Sequence, residues 1–194
     1  MKIDQYFSDS DRKKIESAVK KAEESVSGEI VPVFVGHCDA YEFVYYRMAI
    51  VAAIVTFCLL VLIDRFVPSI AIYDPLAYFF LVTLAAVVTM GVVHFVKFFK
   101  RILIGKTCLF DRAFMKANRY FLQEEVFNTV QRTGIMVFVA FFEHQVIVMA
   151  DKGISAVVEQ EKWDEVVAIV IASIKKGDTT DGIVKGIERC AEIL

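Results

Sequence analysis

The sequence predicts a layered α/β/α domain with a small sheet, interrupted by a two-helix transmembrane hairpin. Three observations carry that prediction. Two long mid-chain stretches hold no charged residue, short β-branched runs lie on either side of them, and the outer segments repeat apolar residues at helical spacing. The chain has 194 residues, 57% hydrophobic and 24% charged, with a mean hydropathy of +0.53. Soluble domains are typically about 45–50% apolar, and here the surplus is concentrated in the two stretches.

These are Met48–Ile63 and Leu76–Val93, each with ten Leu, Ile, Val or Phe residues. Neither keeps the polar stripe of a surface helix. The second meets the threshold of about 18 residues for a spanning helix. The first is slightly short, but Val44, Tyr45 and Tyr46 extend it and Arg47 can snorkel to headgroups. Insertion of each is favoured by roughly 3–6 kcal/mol with no central charge to oppose it. The alternative is a pair of buried core helices in a soluble protein, which the small polar remainder would rarely need. Asp64 to Pro75, with Pro68 and Pro75, forms the reversing turn.

Basic residues set the orientation. Arg47 precedes the first span and Lys97, Lys100, Arg101 and Lys106 follow the second, whereas the connection holds Arg65 against Asp64 and Asp74. The positive-inside rule then places both termini in the cytoplasm of a protein integral to the cytoplasmic membrane. The expected organisation is a cytosolic α/β domain over residues 1–46 plus 101–194, with the transmembrane hairpin over 47–100. The start, MKIDQYFSDSD, lacks the apolar core of a cleaved signal peptide.

In the outer segments, Ser8 is an N-cap with Asp11 three residues on, and Ile15, Val19, Ala22 and Val26 follow at helical spacing. Ser27-Gly28 stops that helix. Glu29–Val35 reads as a strand, and Pro32 suggests an edge position. Asp111 is a candidate cap for a helix whose buried side carries Phe114, Ala117, Phe121, Leu122, Val126 and Val130, ended by Arg132-Thr133-Gly134. Residues 135–142 and 145–150 read as strands joined by a tight Glu143-His144 turn. Two closing helices follow, the first with Trp163, Val166, Val167, Val170 and Ile174. The second is bounded by Gly177-Asp178, with Asp178 and Asp181 as its capping acids.

Net charge of -2 and a pI near 6.0 exclude a general nucleic-acid binder. Cys38, Cys58, Cys108 and Cys190 are far apart, unlike zinc or disulfide frameworks. His37, His94 and His144 have no near ligands at metal spacing. No G-x-S-x-G, P-loop, G-x-G-x-x-G or H-E-x-x-H motif occurs.

Ser27-Gly28-Glu29-Ile30, Asp39-Ala40-Tyr41, Arg132-Thr133-Gly134-Ile135 and Ala150-Asp151-Lys152-Gly153-Ile154 resemble the signatures of the TPM-domain family. Trp163, Gly182-Ile183 and Ile187-Glu188-Arg189-Cys190 fit as well. The chain is most similar to the bacterial membrane-protein branch, in which two transmembrane helices interrupt the domain. The resemblance implies the fold, and its members' links to acid phosphatase activity, photosystem repair and receptor modulation leave activity open.

A right-handed crossover makes strands 29–35 and 135–142 parallel and the third strand antiparallel to the second. Glu29, Arg132, Thr133 and Asp151 then share one end of the sheet, away from the membrane connection. Glu29 and Asp151 are candidate oxygen ligands for Ca²⁺ or Mg²⁺, and Arg132 with Thr133 a candidate anion site. The plainer alternative is that Arg132 pairs with these carboxylates while Gly28, Gly134 and Gly153 shape turns. Two function classes follow: a membrane-anchored interaction or assembly module with the bilayer and a membrane or cytosolic protein as partners, or a divalent-metal-assisted phosphatase. No motif marks the chain as an enzyme.

Overall fold

The computed structural model describes residues 6–26, 28–67, 72 and 74–194. Ser27 and Pro68, expected to help stop the first helix and reverse the hairpin, lie outside the described residues. The chain divides into two compact units, Met1–Cys38 with Leu109–Leu194 and Asp39–Cys108.

In the first unit, α1 (Asp9–Ser25) opens on a capping box: the Asp11 N–H donates to the Ser8 hydroxyl, and the Ser8 N–H donates to the Asp11 carboxylate at 2.9 Å. β1 (Ile30–Val35) pairs in parallel with β2 (Ile135–Ala140), and β3 (Gln145–Ala150) pairs antiparallel with β2, giving the order β1-β2-β3. Pro32 therefore sits in an edge strand, where its missing N–H costs no central ladder bond. The central β2 is buried along its whole length.

Alternation along β2 divides the core into two layers. Ile135, Val137 and Val139 pack with Ile15 and Ala22 of α1, Trp163, Val166 and Val170 of α7 (Gln160–Lys176), and Ile183, Ile187 and Cys190 of α8 (Thr179–Ile193). Met136, Phe138 and Ala140 face Ala113 and Ala117 of α5 (Lys106–Gln123), with Val126 from the loop that follows. The result is a three-layer α/β/α unit. Gly177 ends α7 in the left-handed conformation (φ 89°), and Asp178 takes the N-cap position of α8 without a side-chain cap bond, contrary to its expected capping role.

Several boundaries differ from those expected. α5 begins five residues before Asp111, which lies inside it, because the break falls at Gly105 (φ 80°). Its inner stripe is Leu109, Ala113 and Ala117, while Phe114, Leu122 and Val130 are exposed. Small residues let the helix approach the sheet, and Phe114 instead stacks on Phe110 with centroids 6.0 Å apart. The helix ends at Gln123, so residues 124–134 form a loop. β1 starts at Ile30 and β2 stops at Ala140, so the β2–β3 connection has four residues, with His144 at φ 52°.

The second unit is built on α2 (Phe43–Phe66) and α3 (Pro75–Phe95), which pack together; the Tyr78 hydroxyl donates to the Leu60 carbonyl at 3.3 Å. Asp74 caps α3 by accepting from the Leu76 N–H, and Pro75 occupies the first turn. Their 24 and 21 residues reach about 36 and 32 Å at about 1.5 Å per residue. Both are long and apolar enough to cross a membrane, with 0% and 6% of their most apolar windows buried. A short helix that the sequence reading did not anticipate, α4 (Lys97–Ile104), follows.

Candidate functional site

One end of the sheet gathers the residues singled out in the sequence. Ile30, Ile135 and Ala150 lie side by side in register, so Glu29, Gly134 and Asp151 succeed them at the same end. The Ile135 N–H donates to the Glu29 carbonyl at 2.8 Å, and the Asp151 N–H donates to the Gly134 carbonyl at 2.9 Å. These bonds extend the ladder by one step and fix the spacing of the three chain segments.

The loop before β2 then brings Arg132 in. The Arg132 and Thr133 N–H groups donate to the carbonyl and hydroxyl of Thr129, and Arg132 takes a left-handed conformation (φ 57°). Close approach explains the neighbouring glycines: a Cβ on Gly134 would strike the Val126 carbonyl, and one on Gly153 would strike the Gln131 and Arg132 carbonyls. The Arg132 guanidinium donates to the Phe127 carbonyl (3.1 Å), lies 5.9 Å from that residue's ring centroid, and stands 3.6 Å from the Asp151 carboxylate.

Asp151 is buried. Its Oδ1 accepts from the Lys152 N–H at 2.7 Å at the start of α6 (Lys152–Ser155), while Oδ2 faces the guanidinium. A separation of 3.6 Å is an ion pair beyond good hydrogen-bond length. The Arg132 side chain is 52% exposed. Thr133 adds its half-buried backbone near the same point.

Ca²⁺ takes about six to eight oxygens, whereas the buried carboxylate oxygen here faces a positive charge and the Glu29 residue is exposed. Among the described residues, no group of three or more His, Cys, Asp or Glu side chains is placed to hold a metal ion. The geometry brings Arg132 and Asp151 together in the ion pair that was the plainer alternative, with Thr133 adjacent.

A second buried carboxylate was read only as a turn residue. Glu143, 1% exposed, accepts the Cys38 N–H at 2.7 Å, tying the β2–β3 connection to the segment that follows β1. Lys116 of α5 donates to the neighbouring His37 carbonyl at 3.0 Å. The sequence signal was a lone carboxylate between two continuous apolar runs. Nearby, a cavity of about 260 Å³ lies among Phe141, Val146, Ile171 and Ile174, with Tyr6, His144 and Lys175 also lining it.

Comparison with known proteins places this architecture. Residues 103–193 match the TPM domain family. The fold is similar to that of the BA42 protein from the psychrophilic bacterium Bizionia argentinensis, solved by NMR, with a TM-score of 0.56 and 20% identity over 100% of this chain and 84% of that one. No curated protein matches the chain. At that identity the likeness extends to fold alone, and the family match falls on α5, β2, β3 and the closing helices. Residues 103–193 are thus the part of the chain that is similar to the TPM domain family.

Proposed function

We propose that the chain is a membrane-anchored TPM-domain module that acts by binding a protein partner rather than by catalysis. The observation that carries this is the character of residues 39–108: two helices of spanning length whose apolar side chains face outward. The flanking basic residues favour both termini in the cytoplasm, with Arg47 near the start of α2 and Lys100, Arg101 and Lys106 after α3. On this reading the polar end with Arg132, Thr133 and Asp151 is a structural junction whose outer guanidinium surface is available to a partner's acidic groups. A cytoplasm-dependent fluorescent reporter fused after Leu194 should fluoresce; a dark, translocated fusion would overturn the orientation.

A second reading is phosphatase-like hydrolysis at that same end, favoured by the solvent-facing guanidinium, which suits a phosphate. Purified full-length chain should be assayed against phosphomonoesters with and without Ca²⁺ or Mg²⁺. We expect no turnover above the blank. Turnover lost in Asp151→Ala but kept in Ser155→Ala, with both variants folded by circular dichroism, would establish the enzyme reading instead.

A further inference from the structure

Between α3 and the body of α5 lies a segment that the proposed function uses only for the sign of its charge. From Lys97 to Lys106 it holds four basic residues and no acidic one. Val96 (φ -99°, ψ 92°) interrupts the helical run after α3, and Gly105 closes α4 at a positive φ that favours glycine. α3 already matches the bilayer's hydrocarbon thickness of about 30 Å, so α4 starts where that thickness ends.

Its exposure is the reverse of a soluble surface helix. Phe98 and Ile102, four residues apart and hence on one face, are 70% and 59% exposed. Lys100 and Arg101 are only half-exposed. The Lys100 ammonium donates to the Ala40 carbonyl and, at 2.6 Å, to the Tyr45 hydroxyl, and it lies 4.6 Å from the Tyr45 ring centroid. One cation thus clasps α4 to the start of α2 and turns the apolar pair outward. Tyr46 and Arg47 are exposed near that same start, an aromatic and a basic group of the kind enriched at the membrane interface.

We propose that α4 is an interfacial helix: Phe98 and Ile102 enter the headgroup–acyl boundary of the cytosolic leaflet, and the exposed Lys106 at the end of this segment binds anionic phospholipid headgroups. An apolar row alone could meet many surfaces. Direct continuity with the outward apolar surface of α3, in a segment whose sequence carries basic but no acidic residues, selects an anionic bilayer. This inference rests on the membrane placement of α2 and α3.

The test uses full-length chain reconstituted into phosphatidylcholine vesicles with or without phosphatidylglycerol, the acyl chains brominated at shallow or deep positions. Phe98→Trp reports on α4 and Val87→Trp on the middle of α3, while Trp163, buried in the sheet unit, serves as internal reference. Trp at 98 should be quenched by shallow bromines, more strongly with phosphatidylglycerol, and Lys106→Gln should lower the docking equilibrium constant about fivefold. Quenching at 87 but not at 98 would overturn the inference while leaving the spans in place. Equal quenching at 98 in both lipids would overturn its anionic part. Absence of quenching at both positions would overturn the membrane placement itself.

Discussion

The two units use the same residue types in opposite ways. In the sheet unit Val137, Phe138 and Ile135 are fully buried, whereas in residues 39–108 Val88, Phe80 and Ile54 are exposed by more than half. An apolar side chain left in water forfeits about 1.5–3 kcal/mol relative to burial, so two whole helices of them call for a cover. The sheet unit hides its apolar surface against itself; the helical unit turns it outward, where the proposed bilayer would cover it. Glycines show the same contrast. A Cβ on Gly134 would collide with backbone, but nothing lies within 4 Å of the Cβ position at Gly91 in α3.

Matched substitutions sharpen this contrast, beginning with the largest effect. Val137→Asp should abolish cooperative melting of the sheet unit, since an unpaired buried charge lies among the few changes that cost more than about 4 kcal/mol. Val88→Asp should leave that melting within about 0.5 kcal/mol while opposing membrane insertion by about 2.5–3.5 kcal/mol. Near-ultraviolet circular dichroism, dominated by Trp163, and the fraction recovered with membranes read the two effects separately. Equal loss of melting in both variants would mean that α2 and α3 belong to the sheet unit's core.

Gly134→Ala should cost about 1–3 kcal/mol through overpacking against the Val126 carbonyl. Gly91→Ala should cost nothing and gain up to about 1 kcal/mol of helix propensity. Chemical denaturation followed by circular dichroism measures both.

Ser8→Ala removes the capping box of α1 and should cost about 1 kcal/mol. Asp11 lies below the ordinary carboxylate range because it accepts from the Ser8 hydroxyl and then from the Ser8 N–H. Its folded value is lowered, so this stabilisation is present above the ordinary 3.8 and is lost as pH falls through the folded value. The difference between wild type and Ser8→Ala should therefore be full at neutral pH and shrink in acid.

Cysteine labelling perturbs least and separates the units cleanly. Burial pushes the Cys190 thiol up to about 12, so it should stay unmodified in native protein and react only after unfolding. Cys58, exposed on α2, should resist a charged maleimide in intact membranes and react with it only once detergent and denaturant strip the bilayer away. Reaction of Cys58 with the charged reagent in intact membranes would place α2 in water.

Much of the fold was legible because its signals were local or strongly periodic. The Ser8–Asp11 pair marked the start of α1, Pro32 pointed to an edge strand, and the charge-free stretches marked α2 and α3. The parallel β1–β2 pairing followed from chain handedness and brought Arg132, Thr133, Glu29 and Asp151 to one end. What failed depended on packing distance. Asp111 has the chemistry of a cap, but Gly105 sets the break earlier. The inner stripe of α5 runs through Leu109, Ala113 and Ala117 because a close helix–sheet approach favours small residues over Phe114. Glu143 stands between two apolar runs, but its partner, the Cys38 N–H, is 105 positions away in sequence and could not be named from it. For Asp151 the sequence offered both a cation and Arg132 as partners; the loop conformation at Thr129–Thr133 brings Arg132 to 3.6 Å from it.

The placement of residues 39–108 in a bilayer is tested most directly by alkaline carbonate extraction of membranes from cells producing the full chain. Retention in the membrane pellet, with urea washing unable to release it, is the expected result. Recovery of folded chain in the carbonate supernatant would contradict the bilayer placement and require another cover for the apolar faces of α2 and α3.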